Sequence, residues 1–267
     1  MFYALQNAKI PNSGYNRHFK WLKSLKINYP SVLSQSSIVM LLDKISHIID
    51  CKKKKMDLLD DLVKARFVEM FGDLRDNPFE YMKMPLKNTC KVMTGNTPSR
   101  AIARYYGNYI EWIKTDNIVS GLLNPTKAIE SLSEDGMKIG RIVEKDSILM
   151  VCIAGSIASI GRVCITDRAV AFNQQINAIV PRVYDILFLY VMLQLSKVYL
   201  AEEINMSLKG ILSKSKLEEK EFIVPPMKLQ KEFAHFVKQV DKSKVVIEKS
   251  LKELETLQAS LMQKYFS

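Results

Sequence analysis

The side chains best suited to chemistry stand in one polar segment, residues 94–109, which reads TGNTPSRAIARYYGNY. Glycine and asparagine permit tight turns there, and the short hydroxyl side chains of Thr97 and Ser99 can donate or accept hydrogen bonds. Arg100 and Arg104 can bind phosphate, or guanine through two parallel hydrogen bonds. Turn formation alone explains such a polar run equally well, so the choice depends on what the rest of the chain offers.

Other segments add side chains that could contact a nucleic acid. Lys114 and Asn117 belong to IKTDN at the end of a predicted strand, and residues 171–177, AFNQQIN, contain four amides. Asparagine and glutamine can bind adenine as arginine binds guanine. Such amides also serve to satisfy buried backbone groups, and both interpretations stay open. Arg162 and Lys209 are further basic candidates.

No catalytic motif accompanies these residues. GSIASIGR, at 155–162, has one residue too many for a phosphate-binding P-loop and ends in arginine, so a hairpin of core strands explains it better. The chain contains neither GxGxxG nor GxSxG, and its three histidines and four cysteines lack metal-ligand spacing. Cys152 and Cys164 lie in apolar runs and are expected to be reduced core thiols. We expect no catalytic residue, no cofactor and no metal.

The charge balance indicates a polyanionic partner. The chain has 39 basic and 28 acidic residues, a net charge of +11. This surplus favours nucleic acid over membrane, although a lysine-rich surface that only aids solubility has the same charge. The N-terminus lacks the apolar core of a signal peptide. No apolar run approaches the roughly 18 residues that a membrane span needs. We therefore expect a cytoplasmic protein that does not span a membrane.

Two long segments follow a coiled-coil rhythm. In each, apolar residues recur at alternating spacings of three and four over about four to five heptads. Antiparallel pairing of the two helices would bury both seams. The seam residues expected to pair the helices or to dock partners are Leu42, Ile45, Ile49, Met56, Leu59, Val240, Ile247, Leu251 and Leu254.

The two helical segments also form an internal repeat. A shift of 195 residues places Pro30 on Pro225 and Gln35 on Gln230, and brings the heptads into one phase. Each helix follows an extended apolar lead-in ending in proline, KINYP before the first and EFIVPP before the second. By this repeat, residues 1–30 correspond only to the last part of the segment that precedes the second helix.

The intervening residues, 74–222, alternate short apolar runs with turn signals. The runs YIEWI, SILMVCIAG, GRVCIT and INAIVP are predicted strands, and residues 184–195 are a predicted helix. The sequence therefore predicts an α+β fold, with one globular domain and two long helices that pair as an antiparallel coiled coil. The helices are expected over 31–73 and 223–267.

Several of these motifs, taken in order, resemble one known family. KVMTGNTPSR, YYGNYIEWIKTDNI and GRVCITDRAVAFNQQINAIVP resemble a target recognition domain of a type I restriction-modification specificity subunit, and PPMKLQ before a heptad helix resembles its spacer. The resemblance covers about residues 30–267. Members of that family carry two recognition domains, each reading half of a split DNA site, held apart by two antiparallel helices. They are not enzymes; they direct a methyltransferase (M) subunit and a restriction and translocation (R) subunit.

This resemblance implies double-stranded DNA as a partner and gives the polar residues roles. The residues expected to contact DNA are Thr97, Ser99, Arg100, Arg104, Lys114, Asn117, Arg162 and Lys209. Arg104 and Lys209 are assigned to phosphates. The residues assigned to base edges are Thr97, Ser99, Arg100 and Asn117. The chain departs from the family in having one complete recognition domain, with residues 1–30 as a remnant resembling the tail of another. A split site would then need a homodimer, which would read an inverted repeat.

Two other functions remain open at this point. The chain could be a helical scaffold without DNA readout, in which case its basic charge would be incidental. It could also be the DNA-reading domain of a methyltransferase that lacks its catalytic part. A recognition subunit should bind DNA with a steep salt dependence, whereas a helical scaffold should not. Binding of adenosyl-methionine would favour the methyltransferase domain.

Overall fold

The computed structural model describes residues 2–7, 19–24, 30–206 and 210–266, which combine helices with short strands. The helices are α1 (Phe2–Gln6), α2 (Phe19–Ser24), α3 (Val32–Phe71), α4 (Leu86–Thr89), α5 (Glu134–Ile139), α6 (Ile186–Leu195), α7 (Lys197–Ala201), α8 (Lys214–Glu219) and α9 (Met227–Phe266). The strands are β1 (Lys83–Pro85), β2 (Cys90–Thr94), β3 (Tyr106–Gly107), β4 (Ile110–Ile113), β5 (Ser131–Leu132), β6 (Ile142–Val143), β7 (Ile148–Val151), β8 (Ile153–Ala154), β9 (Val163–Ile165), β10 (Val170–Phe172), β11 (Ile176–Pro181), β12 (Asn205–Met206), β13 (Gly210–Ile211) and β14 (Glu221–Ile223).

The internal repeat extends to the boundaries of three helices. Helices α7, α8 and α9 begin and end 195 residues after α1, α2 and α3. Both copies contain the same local hydrogen bond: Gln35 Nε2 donates to Pro30 O at 3.0 Å, and Gln230 Nε2 donates to Pro225 O at 2.8 Å. The extended lead-in before α9 forms β14, whereas KINYP lies, apart from Pro30, outside the described residues.

The chain divides into two compact units. We call residues 1–62 with 239–267 the helical unit, and residues 63–238 the globular unit. The globular unit is larger than the predicted globule at 74–222, because the end of α3 and the start of α9 pack with it.

In the helical unit, α3 and α9 pair in antiparallel orientation. Gln258 Nε2 donates to Ser46 Oγ at 2.8 Å, and Lys244 forms an ion pair with Asp60, so residue numbers rise along one helix as they fall along the other. Lys244 and Gln258 are the two polar interruptions of the second heptad pattern, and each has a polar partner on α3. The pattern can therefore be broken at these positions without leaving a buried polar group unsatisfied.

The seam residues predicted from the heptads are buried or half-buried on these two helices. Buried seam residues are Leu42, Ile45, Ile49, Val240 and Ile247; half-buried ones are Met56, Leu59, Leu251 and Leu254. Burial thus follows the heptad phase along both helices, as expected when apolar stripes face each other.

Within the described residues, α3 is the one helix long and apolar enough to cross a membrane by length and composition. This differs from the expectation from the sequence, because the high mean hydropathy of α3 extends over a stretch that Asp43 and Lys44 interrupt, so no continuous apolar run is present in it. Core helices also meet this criterion, and Ile38, Leu42 and Ile45 of α3 are buried inside the helical unit. The finding is therefore weak support for a membrane span.

The described strands of the globular unit form four sheets, with the orders β1-β14, β3-β5-β4-β10-β6, β2-β11-β7-β9 and β12-β13-β8. YIEWI, GRVCIT and INAIVP contain β4, β9 and β11, as predicted, and GSIASIGR lies in the connection between the antiparallel β7 and β9. SILMVCIAG divides into two strands of different sheets. The ladder is interrupted there because the backbone N–H groups of Cys152 and Ile153 both donate to Gln175 O, at 2.8 and 3.1 Å.

Helix α6 anchors the aromatic core of the globular unit. Asp185 accepts hydrogen bonds from the first turn of the helix, so α6 begins after this N-cap and slightly later than predicted. Phe188 is fully buried, and its ring centroid lies 5.5, 4.8 and 6.4 Å from those of Phe67, Phe71 and Phe233. The core therefore joins the globule to the end of α3 and the start of α9.

The cysteines predict a simple labelling result. Cys90, Cys152 and Cys164 are buried free thiols, and burial raises the pKa of each to about 12. They remain neutral and inaccessible at pH 8, whereas Cys51 is exposed. We expect iodoacetamide to label Cys51 alone in the native protein and all four cysteines after unfolding, as read by mass spectrometry. Native labelling of the other three at the rate of Cys51 would contradict this packing.

Candidate nucleic-acid interface

The loop that follows β2 is held against the backbone of the β10–β11 connection. Gly95 N donates to Ile176 O at 3.0 Å, and Asn96 N donates to Phe172 O at 3.1 Å. A Cβ atom on Gly95 would collide with the carbonyl oxygens of Phe172 and Asn173. Glycine is therefore required here by the close approach of two backbone segments.

The side chain and carbonyl of Asn96 fix the same loop from other directions. Its Nδ2 donates to Ile139 O at 3.0 Å, its Oδ1 accepts from Arg141 N at 2.8 Å, and its carbonyl accepts from Trp112 Nε1 at 3.2 Å. The amide is thus engaged inside the protein. It organises the loop in advance, so that the neighbouring side chains are presented by a fixed backbone.

Two cations flank the ring of Trp112 next to this loop. The guanidinium carbon of Arg100 lies 5.1 Å from the Trp112 centroid and 4.5 Å from that of Tyr106, and Lys114 Nζ lies 5.0 Å from Trp112. Arg100 Nη2 is 2.6 Å from Glu130 Oε2, and Lys114 pairs with the other carboxylate oxygen. We call these five residues the Trp112 cluster.

The electrostatics of the Trp112 cluster leave a net positive charge. Hydrogen bonding from Lys114 is the main cause of a lowered pKa of Glu130, followed among the lowering effects by the bond from Arg100. The carboxylate is therefore ionised at neutral pH, and two cations share one anion. Such an arrangement restrains both basic side chains while leaving attraction for a polyanion.

The two hydroxyl residues and the second arginine lie on the exposed side of the same region. Thr97 is exposed, and its hydroxyl donates to the amide oxygen of the exposed Gln174. Ser99 is exposed as well. Arg104 is exposed, with its guanidinium carbon 5.7 Å from the ring centroid of Tyr105.

Two other predicted contact residues are bonded within the chain. Asn117 accepts from Lys114 N at 3.0 Å and donates to Thr126 Oγ1 at 3.2 Å. Arg162 donates from Nε to Ser159 O and from Nη2 to Thr115 O, at 3.2 and 3.3 Å. Both side chains therefore shape neighbouring loops.

Lys209, the last predicted contact residue, lies outside the described residues.

The amide run at 171–177 serves mainly the interior. Asn173 and Asn177 are buried, and they donate to the Gln175 side-chain oxygen at 3.1 Å and to Cys152 Sγ at 3.2 Å. The sequence left open whether these amides contact bases or satisfy internal polar groups. Asn173 and Asn177 do the second, because both donate hydrogen bonds inside the protein. Gln174 is the exposed amide of the run.

Sequence patterns did not identify the residues that organise the site. Trp112 is almost fully buried and lies in a predicted strand, where its aromatic type indicates core packing. Glu130 lies far from both its cationic partners in sequence and belongs to no motif. Its ion pair with Lys114 follows from the pairing of β4 and β5, which brings the residues that flank these strands together, and Arg100 reaches the same carboxylate from the loop after β2.

A comparison with family models matches residues 78–256 to the type I restriction modification DNA specificity domain. The match covers most of the chain and includes both the β2 loop and the Trp112 cluster. The chain belongs to this family. The family inferred from the sequence is therefore confirmed.

Solved structures of this family share the fold. The S subunit of a type I restriction-modification system from M. genitalium is 15% identical with a TM-score of 0.59, and the HsdS subunit from Thermoanaerobacter tengcongensis is 15% identical with a TM-score of 0.54. A chain from a study of complex assembly and conformational transition of the type I R-M system is 17% identical with a TM-score of 0.62. These likenesses confirm the α+β fold with a long helix at either end.

The chain spans only part of the length of these three matched chains. The alignment with the M. genitalium subunit covers 89% of this chain and 62% of that subunit. The alignment with the Thermoanaerobacter tengcongensis subunit covers 86% of this chain and 56% of that subunit. For the chain from the complex-assembly study, the two values are 86% and 57%. At such low identity they support the architecture, and the functional assignment depends on the site itself.

Proposed function

We propose that this chain is a non-catalytic recognition subunit that binds a specific DNA sequence through its globular unit. Membership of the specificity family supports this function. The observation that carries it is the Trp112 cluster beside a fixed loop, because two restrained cations next to exposed hydroxyls provide both phosphate attraction and base-edge donors.

Within this proposal, base readout belongs to Thr97, Ser99 and Arg100. The side chain of Arg100 is 55% exposed although it is held by the cluster, so part of its planar fork remains accessible. Restraint lowers the entropy that the side chain loses on binding, and a planar fork matches the two acceptors of guanine. Lys114 adds positive charge beside it.

The remaining residues of the predicted set take other roles in the proposal. Arg104 is exposed and is assigned to phosphate, as is Lys209. Asn117 and Arg162 already use donors within the chain, so we assign them to positioning the loops around residues 115–127 and 159–162. A loop that moves less presents its side chains in a more constant geometry.

Replacing Arg100 by alanine is expected to cost about 1–3 kcal/mol of binding to the preferred duplex and to relax preference at one position of the site. Arg75→Ala is the matched control, since its side chain is also 55% exposed and also forms an ion pair. Affinity and preference are measured by fluorescence anisotropy with a set of single-substitution duplexes. Equal behaviour of the two variants would show that base readout lies elsewhere.

We further propose that the helical unit recruits the M and R subunits of a type I system in the cytoplasm. The seam residues are used in pairing α3 with α9, so docking falls to the outward faces. Those faces carry exposed apolar side chains at Leu41, Ile48, Leu62, Val246 and Leu257. Leu41 and Ile48 lie seven residues apart and therefore on one face of α3, and contiguous exposed apolar surface marks protein contact sites.

A split target requires two recognition globules, and we propose that two copies of this chain can supply them. Two-fold protein symmetry then requires a two-fold symmetric site, so the target would be an inverted repeat. Analytical ultracentrifugation with and without DNA tests this arrangement. A monomer that binds its full target one to one would exclude it.

A further inference from the structure

Glu130 is the one anion of the Trp112 cluster, and it contacts both of the cluster's cations. Its Oε1 pairs with Lys114, and its Oε2 lies 2.6 Å from Arg100 Nη2. Hydrogen bonding from Lys114 is the main cause of the lowered pKa of Glu130, so the carboxylate is charged at neutral pH. The Glu130 side chain is 34% exposed, which places this charge at the surface beside the two basic groups.

The backbone of the neighbouring loop is held in place without this carboxylate. Gly95 N and Asn96 N donate to carbonyl oxygens of the β10–β11 connection, and Trp112 Nε1 donates to the carbonyl of Asn96. None of these hydrogen bonds involves Glu130. Removing its charge would therefore release the two cations and leave the loop where it is.

Arg100 is restrained by the cluster but is still open to a ligand. Its guanidinium carbon lies 4.5 Å from the Tyr106 centroid and 5.1 Å from the Trp112 centroid, and one nitrogen faces Glu130. The side chain is nevertheless 55% exposed, so part of its donor set is accessible. Any group that binds these donors lies close to the carboxylate of Glu130.

A phosphate and a base edge respond differently to that carboxylate. A phosphate carries a full negative charge, and like charges repel strongly near a protein surface, where the effective dielectric constant is well below that of water. The O6 and N7 acceptors of guanine are neutral and meet no such repulsion. Glu130 therefore weakens the binding of a phosphate at Arg100 more than the binding of a base.

We propose that Glu130 is a positioning residue that sets the selectivity of DNA binding, because it keeps Arg100 and Lys114 from binding phosphates of non-target DNA. Selectivity is a difference between two affinities, and it rises when the wrong contact is penalised. The role of Glu130 in selectivity rests on the proposed function. Its restraint of the two cations does not.

Glu130→Gln in the full chain tests this role, since glutamine keeps the shape of the side chain and removes its charge. We expect affinity for a scrambled duplex to rise roughly fivefold at about 0.1 M salt, and the salt slope to steepen by about 1, as one more phosphate contact would cause. Preference for the target duplex should fall. In an Arg100→Ala background the loss of preference should be smaller, because the penalty acts through Arg100. Fluorescence anisotropy at several salt concentrations measures these quantities.

Glu111→Gln is the matched control for Glu130→Gln. Glu111 is 23% exposed and forms an ion pair with Arg168, and it directly precedes Trp112 on β4, so it points to the opposite face of the strand. This change removes the same charge and should leave the salt slope and the preference unaltered. Glu130→Asp, which keeps the charge, should also stay close to the unaltered chain.

The inference is overturned if Glu130→Gln binds the scrambled duplex no more tightly than Glu111→Gln does, or if the salt slopes of the two variants agree. An ion pair with a purely structural role predicts that result, together with lower stability in urea; circular dichroism confirms that the variants are folded. Preference of the unaltered chain for its target reports separately on the proposed function. If that preference is absent, the proposed function fails, whereas the change in affinity for non-target DNA still decides whether Glu130 restrains the cations.

Discussion

Replacing Gly95 by alanine is expected to eliminate sequence preference in DNA binding and to lower the free energy of unfolding by about 1–3 kcal/mol. The new methyl group would meet the carbonyl oxygens of Phe172 and Asn173. These are backbone atoms and cannot rotate away, so the β2 loop must move outward. Thr97 and Ser99 would move with it and lose their alignment with the Trp112 cluster.

Gly155→Ala is the matched control for this change. Apart from its chain neighbours, no atom of the described residues lies within 4 Å of a Cβ at Gly155, so alanine should leave both unfolding and DNA binding unchanged. Competition between target and scrambled duplexes measures the preference, and urea denaturation measures stability. If Gly95→Ala retains full preference for the target, the fixed loop is not the reading surface.

Replacing Phe188 by alanine is expected to destabilise the globular unit by about 3–5 kcal/mol. Its ring is fully buried and packs on Phe67, Phe71 and Phe233, so truncation leaves a cavity where α6 meets the two long helices. The ring pairs lost with it add to the cost of the lost apolar burial.

Phe79→Ala gives the comparison for Phe188→Ala, because the Phe79 side chain is 52% exposed and its removal opens no buried cavity. Its expected effect is below about 1 kcal/mol. Urea titration followed by circular dichroism reports both values. Equal destabilisation by the two variants would contradict the central place of α6 in the core.

The long helices and the repeat could be predicted because their signal is local and periodic. Burial at Leu42, Ile45 and Ile49 follows directly from spacing along one chain segment. The two-residue strands such as β3 and β6 could not be predicted in this way. They exist through pairing with partners distant in sequence, and two residues carry no periodicity.

The sequence predicted which residue types lie at the candidate site, but not which of their side chains form hydrogen bonds inside the protein. The polar loop and its arginines stand out as residue types, yet Asn96 and Asn117 are consumed by internal hydrogen bonds. Their partners are fixed by the tertiary fold. Glu130 was missed for the same reason, since an isolated carboxylate in sequence gives no sign that two cations converge on it.

Selection from a random duplex library at several salt concentrations tests the central claim most directly. A recognition subunit should enrich a defined motif, and its affinity should fall linearly with salt on logarithmic axes as phosphate contacts release counterions. The motif should lose definition at one position in Arg100→Ala, while Arg104→Ala should reduce the salt slope by about 1 for every sequence. Failure to enrich any motif, with weak or salt-insensitive binding to all duplexes, would contradict DNA recognition by this chain.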